Sequence, residues 1–123
     1  MARILVAEDD DTIRDLVVRA LTEDGHELTA AANGAAALEA LNQQNGRFDL
    51  LLTDVKMPVM DGIALSLAAA RQHPDLPIML MTGYADQRER AHGLDALVHD
   101  VISKPFSVEQ IKGAVREALV ARH

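Results

Sequence analysis

The feature that most constrains the fold of this chain is an alternation, repeated five times, of a short apolar run with a stretch of helical periodicity. The runs have the length of strands and fall far short of the length that a membrane-spanning helix needs. They cover residues 4–7, 27–32, 48–53, 77–81 and 98–103. Because a helical pattern follows each run, the sequence predicts five strand–helix pairs.

Local signals mark the ends of several predicted helices. Asp61 is the expected N-cap of the third helix, which ends near His73. Ser107 and Gln110 have the spacing of a capping box at the start of the last helix. The polar stretch over residues 85–94 predicts a weaker helix. Strands and helices therefore alternate to the end of the sequence.

This alternation predicts a doubly wound α/β fold with a five-stranded parallel sheet and helices on both faces. The strands are too apolar to leave one face of the sheet in water, which is typical of parallel sheets. In such sheets, ligands bind beyond the carboxyl ends of the strands, where the strand order reverses. The polar residues at the strand ends therefore decide what the protein does.

Size and charge exclude several classes of protein. A chain of 123 residues fits one domain, and we expect a single domain over residues 1–123 with no output domain. The 12 Lys and Arg against 19 Asp and Glu give a net charge of −7, which disfavours nucleic-acid binding. Without cysteine, neither a disulfide framework nor a thiolate metal site can form. Because no signal peptide or membrane span is evident, we expect a cytoplasmic protein.

Polar residues gather at four of the predicted strand ends. They are Glu8, Asp9, Asp10 and Asp11 after the first strand, Thr53 and Asp54 after the third, Thr82 and Gly83 after the fourth, and Ser103, Lys104 and Pro105 after the fifth. Three carboxylates that converge from two adjacent strands repel one another unless a cation neutralises them. Since the ligands on offer are oxygens, the expected cation is Mg²⁺.

Lys104 and the Thr82 hydroxyl are expected to face the same pocket. A phosphoryl group carried on a carboxylate needs such a positive charge and such a hydrogen-bond donor. Asp54 is therefore the predicted nucleophile. A plainer interpretation of an acid after a strand is a helix N-cap, and for Asp10 or Asp11, near the first helix, this alternative stays open.

Four motifs carry a resemblance to a known family. They are Ile4-Leu5-Val6-Ala7-Glu8-Asp9-Asp10, Asp54-Val55-Lys56-Met57-Pro58-Val59-Met60-Asp61-Gly62, Met81-Thr82-Gly83 and Ser103-Lys104-Pro105-Phe106. Over essentially its whole length, the chain resembles the receiver domain of bacterial two-component response regulators. The resemblance implies a flavodoxin-like (βα)5 fold with strand order 2-1-3-4-5.

By position, the resemblance assigns roles to the acidic residues. It implies that Asp54 accepts a phosphoryl group from a kinase histidine and also contacts Mg²⁺. Asp9 matches the direct metal ligand of the family, and Glu8 matches an acid that acts through water. The backbone carbonyl of Lys56 is implied as a further metal ligand.

The resemblance also concerns the residues that read the phosphoryl group. Thr82 and Lys104 match the pair that binds its oxygens and then reshapes the face made by the fourth helix, the fifth strand and the fifth helix. Val101 stands where receivers often carry an aromatic residue, so the usual aromatic switch is in doubt. Lys56 and Tyr84 occupy positions that tune hydrolysis, and we expect them to shield the acyl phosphate from water. The alternative is that Tyr84 anchors a loop.

The implied partners are a sensor histidine kinase or a histidine phosphotransferase as donor, and a downstream protein as output. Within the family, the chain resembles the stand-alone receivers of the CpdR type, which act in cell-cycle control by assisting a protease. The expected downstream partner is therefore a protease complex. The alternative is a phosphorelay intermediate that passes its phosphoryl group to a histidine phosphotransferase. Neither a nucleic acid nor a membrane is an expected partner.

Two other classes of protein share parts of this pattern. Phosphatases of the haloacid dehalogenase type also use an Mg²⁺-assisted aspartate, together with a second Asp two residues on. Lys56 stands at that position and cannot act as acid and base at neutral pH. A flavodoxin-like carrier needs aromatic walls and a phosphate-cradling loop, but the aromatics are limited to Phe48, Tyr84 and Phe106. We therefore expect a signalling receiver and not an enzyme.

Overall fold

The apolar runs of the sequence form five strands in the computed structural model, which describes residues 2–45, 47–83 and 98–121. The strands are β1 (Arg3–Ala7), β2 (Glu27–Ala31), β3 (Leu50–Asp54), β4 (Ile78–Thr82) and β5 (Asp100–Ser103), and the helices are α1 (Asp11–Glu23), α2 (Gly34–Gln43), α3 (Gly62–Gln72) and α4 (Val108–Ala121). The predicted helix over residues 85–94 lies outside the described residues.

The strands form one parallel sheet with the order β2-β1-β3-β4-β5. The predicted fold class and strand order are thus confirmed. From β1 the chain adds β2 on one side and then crosses to β3 on the other side, so the order reverses between β1 and β3. A crevice opens at the carboxyl ends of these two strands, and this is where doubly wound proteins bind their ligands.

The sheet separates two layers of apolar side chains. Along β1, Ile4 and Val6 pack on the face covered by α1 and α4, whereas Leu5 and Ala7 pack on the face covered by α2 and α3. Because successive strand residues point to opposite faces, a run without polar residues fills both layers. Burial of one such aliphatic side chain contributes about 2 kcal/mol, and the three central strands are buried throughout except at Arg3.

The edge strands differ from the expectation that no strand has a wet face. In β2, Glu27, Thr29 and Ala30 are exposed. In β5, Asp100 and Ser103 are exposed. An edge strand lies under the margins of the helical layers, so polar residues are tolerated there and help to prevent pairing with other chains.

The predicted helix caps are confirmed. Asp61 accepts a hydrogen bond from the Ala64 amide at 2.9 Å, and α3 ends at His73. Before α4, the Ser107 amide donates to Gln110 Oε1 at 2.7 Å, and the Gln110 amide donates to Ser107 Oγ at 3.0 Å. Each such cap stabilises its helix by about 1 kcal/mol. None of the helices within the described ranges is long and apolar enough to cross a membrane.

The loop after β3 folds back on the end of that strand. The Gly62 amide donates to the Val55 carbonyl at 2.7 Å. A Cβ atom at Gly62 would lie 1.9 Å from the carbonyl oxygen of Asp54, which is far inside van der Waals contact. Glycine is therefore required at this position to let the loop approach the strand end.

Candidate functional site

Three carboxylates meet at the carboxyl ends of β1 and β3. Glu8 and Asp9 follow β1, and Asp54 is the last residue of β3, which pairs with β1 up to Ala7 opposite Thr53. One oxygen from each carboxylate lies within 4.8 Å of the other two. Glu8 is fully buried and Asp54 is 5% exposed, whereas Asp9 is exposed. These three residues and Lys104 are called the acidic pocket below.

Lys104 enters the acidic pocket from β5. Its Nζ atom lies 2.6 Å from Glu8 Oε1 and 3.2 Å from Asp54 Oδ1. Its backbone amide donates to the Thr82 carbonyl at 2.7 Å, which holds the residue at the end of the sheet. The structure therefore places Lys104 in the pocket that was predicted for it. The shorter of its two contacts is with Glu8, a pairing that the sequence did not indicate.

The Asp54 carboxylate is fixed by its neighbours. Its Oδ1 atom accepts a hydrogen bond from the Val55 amide at 2.9 Å in addition to the contact with Lys104. The Thr53 hydroxyl donates to the Asp54 carbonyl oxygen at 2.9 Å. A nucleophile that is held in one orientation loses less entropy when it reacts.

The electrostatics of the acidic pocket follow from burial and crowding. Burial raises the pKa of Glu8 to about 7; the Lys104 hydrogen bond opposes this rise and the Asp54 charge adds to it. Burial lowers the pKa of Lys104, but the hydrogen bond to Glu8 and the Asp54 charge outweigh it, so the pKa rises overall. The acidic pocket thus holds three carboxylates, two of which contact its lysine. This set of oxygens fits a hard divalent cation such as Mg²⁺.

Thr82 ends β4 beside the acidic pocket, one residue before Gly83, which lines it. Its hydroxyl is buried, and within the described part of the chain it has no hydrogen-bond partner. A buried hydroxyl normally finds a partner, because leaving it unpaired costs about 1–3 kcal/mol. The free hydroxyl is consistent with a donor that is kept for a ligand.

The acidic pocket opens into a cleft of about 570 Å³. Lys56 lines this cleft and is exposed, and Ile13, Leu16 and Phe106 add apolar side chains to its lining. The cleft therefore combines charged groups with apolar side chains.

Val101 and Tyr84 were also predicted to affect the site. Val101 is half-buried in β5, pairs with Leu80 and packs against the core layer on the α2 and α3 side. Tyr84 lies outside the described residues. Their predicted effects on readout and hydrolysis stay predictions, as do the individual roles of the pocket residues.

The structure also shows two contacts that the sequence reasoning missed. Asp10 is the N-cap of α1, so the helix-cap alternative is confirmed for Asp10. The Asp10 amide also donates to Glu8 Oε2 at 3.2 Å. Arg14 donates from Nη1 to the Glu8 carbonyl at 2.9 Å. The spacing of Asp11 and Arg14 on one helix could have indicated their ion pair, but not the bond to Glu8.

A doubly wound sheet with converging carboxylates and a lysine at its switch point defines an α/β domain of the receiver class. A family model described as the response regulator receiver domain matches residues 4–116. The chain belongs to the response regulator receiver domain family, and the predicted resemblance is confirmed.

Among curated proteins, the chain is similar to the response regulator receiver protein CpdR of Brucella abortus, with 40% identity over 121 residues, 98% of this chain and 99% of that protein. It is also 35% identical to part of the sensor kinase CckA of the same organism, over 96% of this chain but 12% of that protein. Among solved structures, TrrA of Thermotoga maritima in complex with Mg(2+)-BeF has a TM-score of 0.85 and 30% identity, over 96% of this chain and 99% of that chain.

Proposed function

We propose that this receiver takes up a phosphoryl group on Asp54 from a phosphohistidine of a partner protein. The observation that carries the proposal is the convergence of three carboxylates within 4.8 Å of one another, with Lys104 beside Asp54. Charge neutralisation and in-line positioning are the main requirements of phosphoryl transfer. The pocket provides groups for both.

Mg²⁺ is the proposed cofactor of this reaction. Glu8, Asp9 and Asp54 would hold it, together with the carbonyl of Lys56. Its charge would offset that of the carboxylates and of the phosphoryl oxygens. The similarity to TrrA, whose structure is a complex with Mg(2+)-BeF, supports this assignment.

In the proposed transfer, a carboxylate oxygen of Asp54 attacks phosphorus, and a new P–O bond forms as the P–N bond to the donor histidine breaks. The electron pair of that bond stays on the imidazole nitrogen. Lys104 then shifts its ammonium group from the carboxylates to a phosphoryl oxygen. The Thr82 hydroxyl, which is unpaired among the described residues, donates to another oxygen.

The proposed donor is a sensor histidine kinase or a histidine phosphotransferase, and the output is a protein contact that depends on phosphorylation. Similarity to CpdR over 99% of that protein supports a receiver that works as a single domain. A protease complex is the proposed downstream partner. A phosphorelay intermediate is the alternative. An enzyme with its own substrate is not proposed, and the cytoplasmic location stays a prediction.

Chemical phosphorylation tests the proposal. The purified chain is incubated with acetyl phosphate and Mg²⁺, and its intact mass is compared with those of Asp54→Asn and Asp24→Asn. Asp24 is a matched control, because it lies at the far end of α1. Wild type and Asp24→Asn should gain one phosphoryl group, and chelation of Mg²⁺ should prevent this. Equal labelling of Asp54→Asn would contradict the proposal.

Partner capture separates the two modes of output. Wild type and Asp54→Asn serve as baits in a lysate of the source cells. Recovery of protease components by the variant, which cannot be phosphorylated at position 54, is expected for an adaptor of the CpdR type. Recovery of a histidine phosphotransferase without protease components would favour the relay.

A further inference from the structure

We propose that Arg14 is a positioning residue of the acidic pocket. It holds the loop between β1 and α1 through two hydrogen bonds, called the clip below, and thereby sets the affinity for Mg²⁺. This inference rests on the proposed function. Among the described residues, the Arg14 side chain donates to the Glu8 carbonyl and to Asp11, and to the carboxylate of neither Asp54 nor Asp9. It acts through the backbone that carries Glu8 and Asp9.

The guanidinium of Arg14 joins two points of this loop. Nη1 donates to the carbonyl oxygen of Glu8 at 2.9 Å, and Nη2 donates to Asp11 Oδ1 at 2.5 Å. The Arg14 side chain is 20% exposed, whereas that of Asp11 is 83% exposed. The bond to the Glu8 carbonyl is therefore the more sheltered of the two and contributes more to holding the loop.

Other hydrogen bonds also hold the backbone of this loop. The Glu8 amide donates to the Ala31 carbonyl at 3.0 Å, so Glu8 is fixed to β2 through its amide and to α1 through its carbonyl. Asp10 caps α1, and its amide donates to Glu8 Oε2. Asp9 lies between these two anchored residues, so the direction of its exposed carboxylate follows from the backbone that Arg14 clips.

An arginine suits this task better than a lysine. Its planar guanidinium presents several N–H donors in a fixed geometry and can bond a carbonyl and a carboxylate at once. A lysine in the same place carries the same charge on a single nitrogen, and it cannot span both acceptors with the same geometry. Arg14→Lys therefore removes the clip while the charge near the acidic pocket is kept.

If Arg14 acted only through its charge, its removal would have the opposite effect on Mg²⁺ affinity. A positive group close to three carboxylates repels a divalent cation, so its removal should tighten Mg²⁺ binding if electrostatics were its main effect. If Arg14 positions the loop, its removal should weaken binding, because partners that orient metal ligands commonly affect affinity by about tenfold or more. The sign of the change thus separates the two roles.

The test is a calorimetric titration of Mg²⁺ into wild type, Arg14→Lys, Arg14→Gln and Arg19→Gln, without any phosphodonor. Arg19 is exposed on the same helix, so Arg19→Gln removes an equal charge and leaves the clip intact. Both Arg14 variants should bind Mg²⁺ about tenfold more weakly. Arg19→Gln should bind as tightly as wild type or slightly more tightly.

A second readout excludes a merely structural role. The rate of labelling by acetyl phosphate is measured over a range of Mg²⁺ concentrations. In Arg14→Lys, the half-saturating Mg²⁺ concentration should rise by the same factor as the dissociation constant, while the rate at saturation approaches that of wild type. A loss of folded protein would instead lower the rate at every concentration and leave the half-saturating value unchanged, which would overturn the inference.

Two outcomes distinguish this inference from the proposed function. Equal Mg²⁺ binding by wild type and Arg14→Lys, or tighter binding by Arg14→Gln, would overturn the role of Arg14 and leave the proposed function standing. Wild type that binds no Mg²⁺ would overturn the proposed function and this inference together.

Discussion

The two ends of the sheet treat their charges differently. At the carboxyl end, the acidic pocket sets Glu8, Asp9 and Asp54 against Lys104, mostly away from solvent. At the opposite end, which we call the ionic end (Asp24, His26 and Arg116), Asp24 at the end of α1 accepts two hydrogen bonds from Arg116 of α4. The hydrogen bond from Arg116 holds the pKa of Asp24 below its usual value.

The difference separates charges that stabilise the fold from charges that could bind a ligand. In the ionic end a carboxylate meets its own cation and fastens two helices together. In the acidic pocket the carboxylates outnumber the cation, and burial raises the pKa of Glu8 to about 7. Crowding of this kind is costly for the fold and is typical of functional sites. Substitutions at the two ends should therefore have different effects, and often effects of opposite sign.

The largest expected difference comes from two glycines. Gly62→Ala places a Cβ atom 1.9 Å from the Asp54 carbonyl oxygen, so the end of β3 must move. Gly25 follows α1 with a φ of +91° and has no atom within 4 Å of an added Cβ, so Gly25→Ala meets only backbone strain. We expect losses of about 3 kcal/mol for Gly62→Ala and about 1 kcal/mol for Gly25→Ala in urea denaturation. Equal losses of unfolding free energy would show that the close contact between Gly62 and the Asp54 carbonyl does not limit the residue at position 62.

A smaller difference, of opposite sign, is expected for two aspartates. Without divalent ions, Asp54→Asn should stabilise the fold by about 1 kcal/mol, because it removes one of three crowded charges. Asp24→Asn should destabilise it, since Arg116 loses its carboxylate partner. Mg²⁺ should reduce the difference in unfolding free energy between wild type and Asp54→Asn, because it stabilises wild type. A destabilised Asp54→Asn in metal-free buffer would contradict the contrast between the two ends.

The smallest expected effect is a pH dependence at the ionic end. Burial lowers the pKa of His26, although the Asp24 charge opposes this, so the unfolded state binds more protons than the folded state near pH 6.5. His26 therefore contributes stability that is present above pH 6.5 and is lost as the pH falls below it. Glu8, with its raised pKa, acts in the opposite direction between pH 4.5 and about 7.

Urea denaturation of wild type and His26→Gln at several pH values isolates the histidine. The stability that wild type holds over the variant should shrink as the pH falls from 7 to 5.5. A constant difference across this range would mean that His26 ionises alike in the folded and unfolded states.

Much of this structure could be predicted from local sequence patterns. The caps at Asp61 and Ser107 depend on residues within one helical turn, and the alternation of strands and helices predicts the doubly wound class. The strand order itself came from the resemblance to the receiver family. The proximity of Glu8 and Asp54 could be predicted because the carboxyl ends of parallel strands share one edge of the sheet. These parts of the fold and of the pocket need no knowledge of side-chain geometry.

Other features depend on packing that the sequence does not show. The contact of Lys104 with Glu8 joins residues from opposite ends of the chain and depends on side-chain conformations. The hydrogen bond from Arg14 to the Glu8 carbonyl depends on the course of the loop between β1 and α1. The close approach of Gly62 to Asp54 depends on the course of the loop after β3. This loop has no repeating hydrogen-bond pattern from which its course could be predicted. Exposure of the edge strand β2 depends on where the helices end.

Chemical mapping of the phosphorylated residue tests the central claim most directly. The chain is labelled with acetyl phosphate and Mg²⁺ and then treated with borohydride, which reduces an acyl phosphate of aspartate to homoserine. Peptide sequencing by mass spectrometry should find homoserine at position 54 in wild type and at no position in Asp54→Asn. Homoserine at position 9 or 10, or labelled protein without any homoserine, would contradict the assignment of Asp54 as the phosphoacceptor.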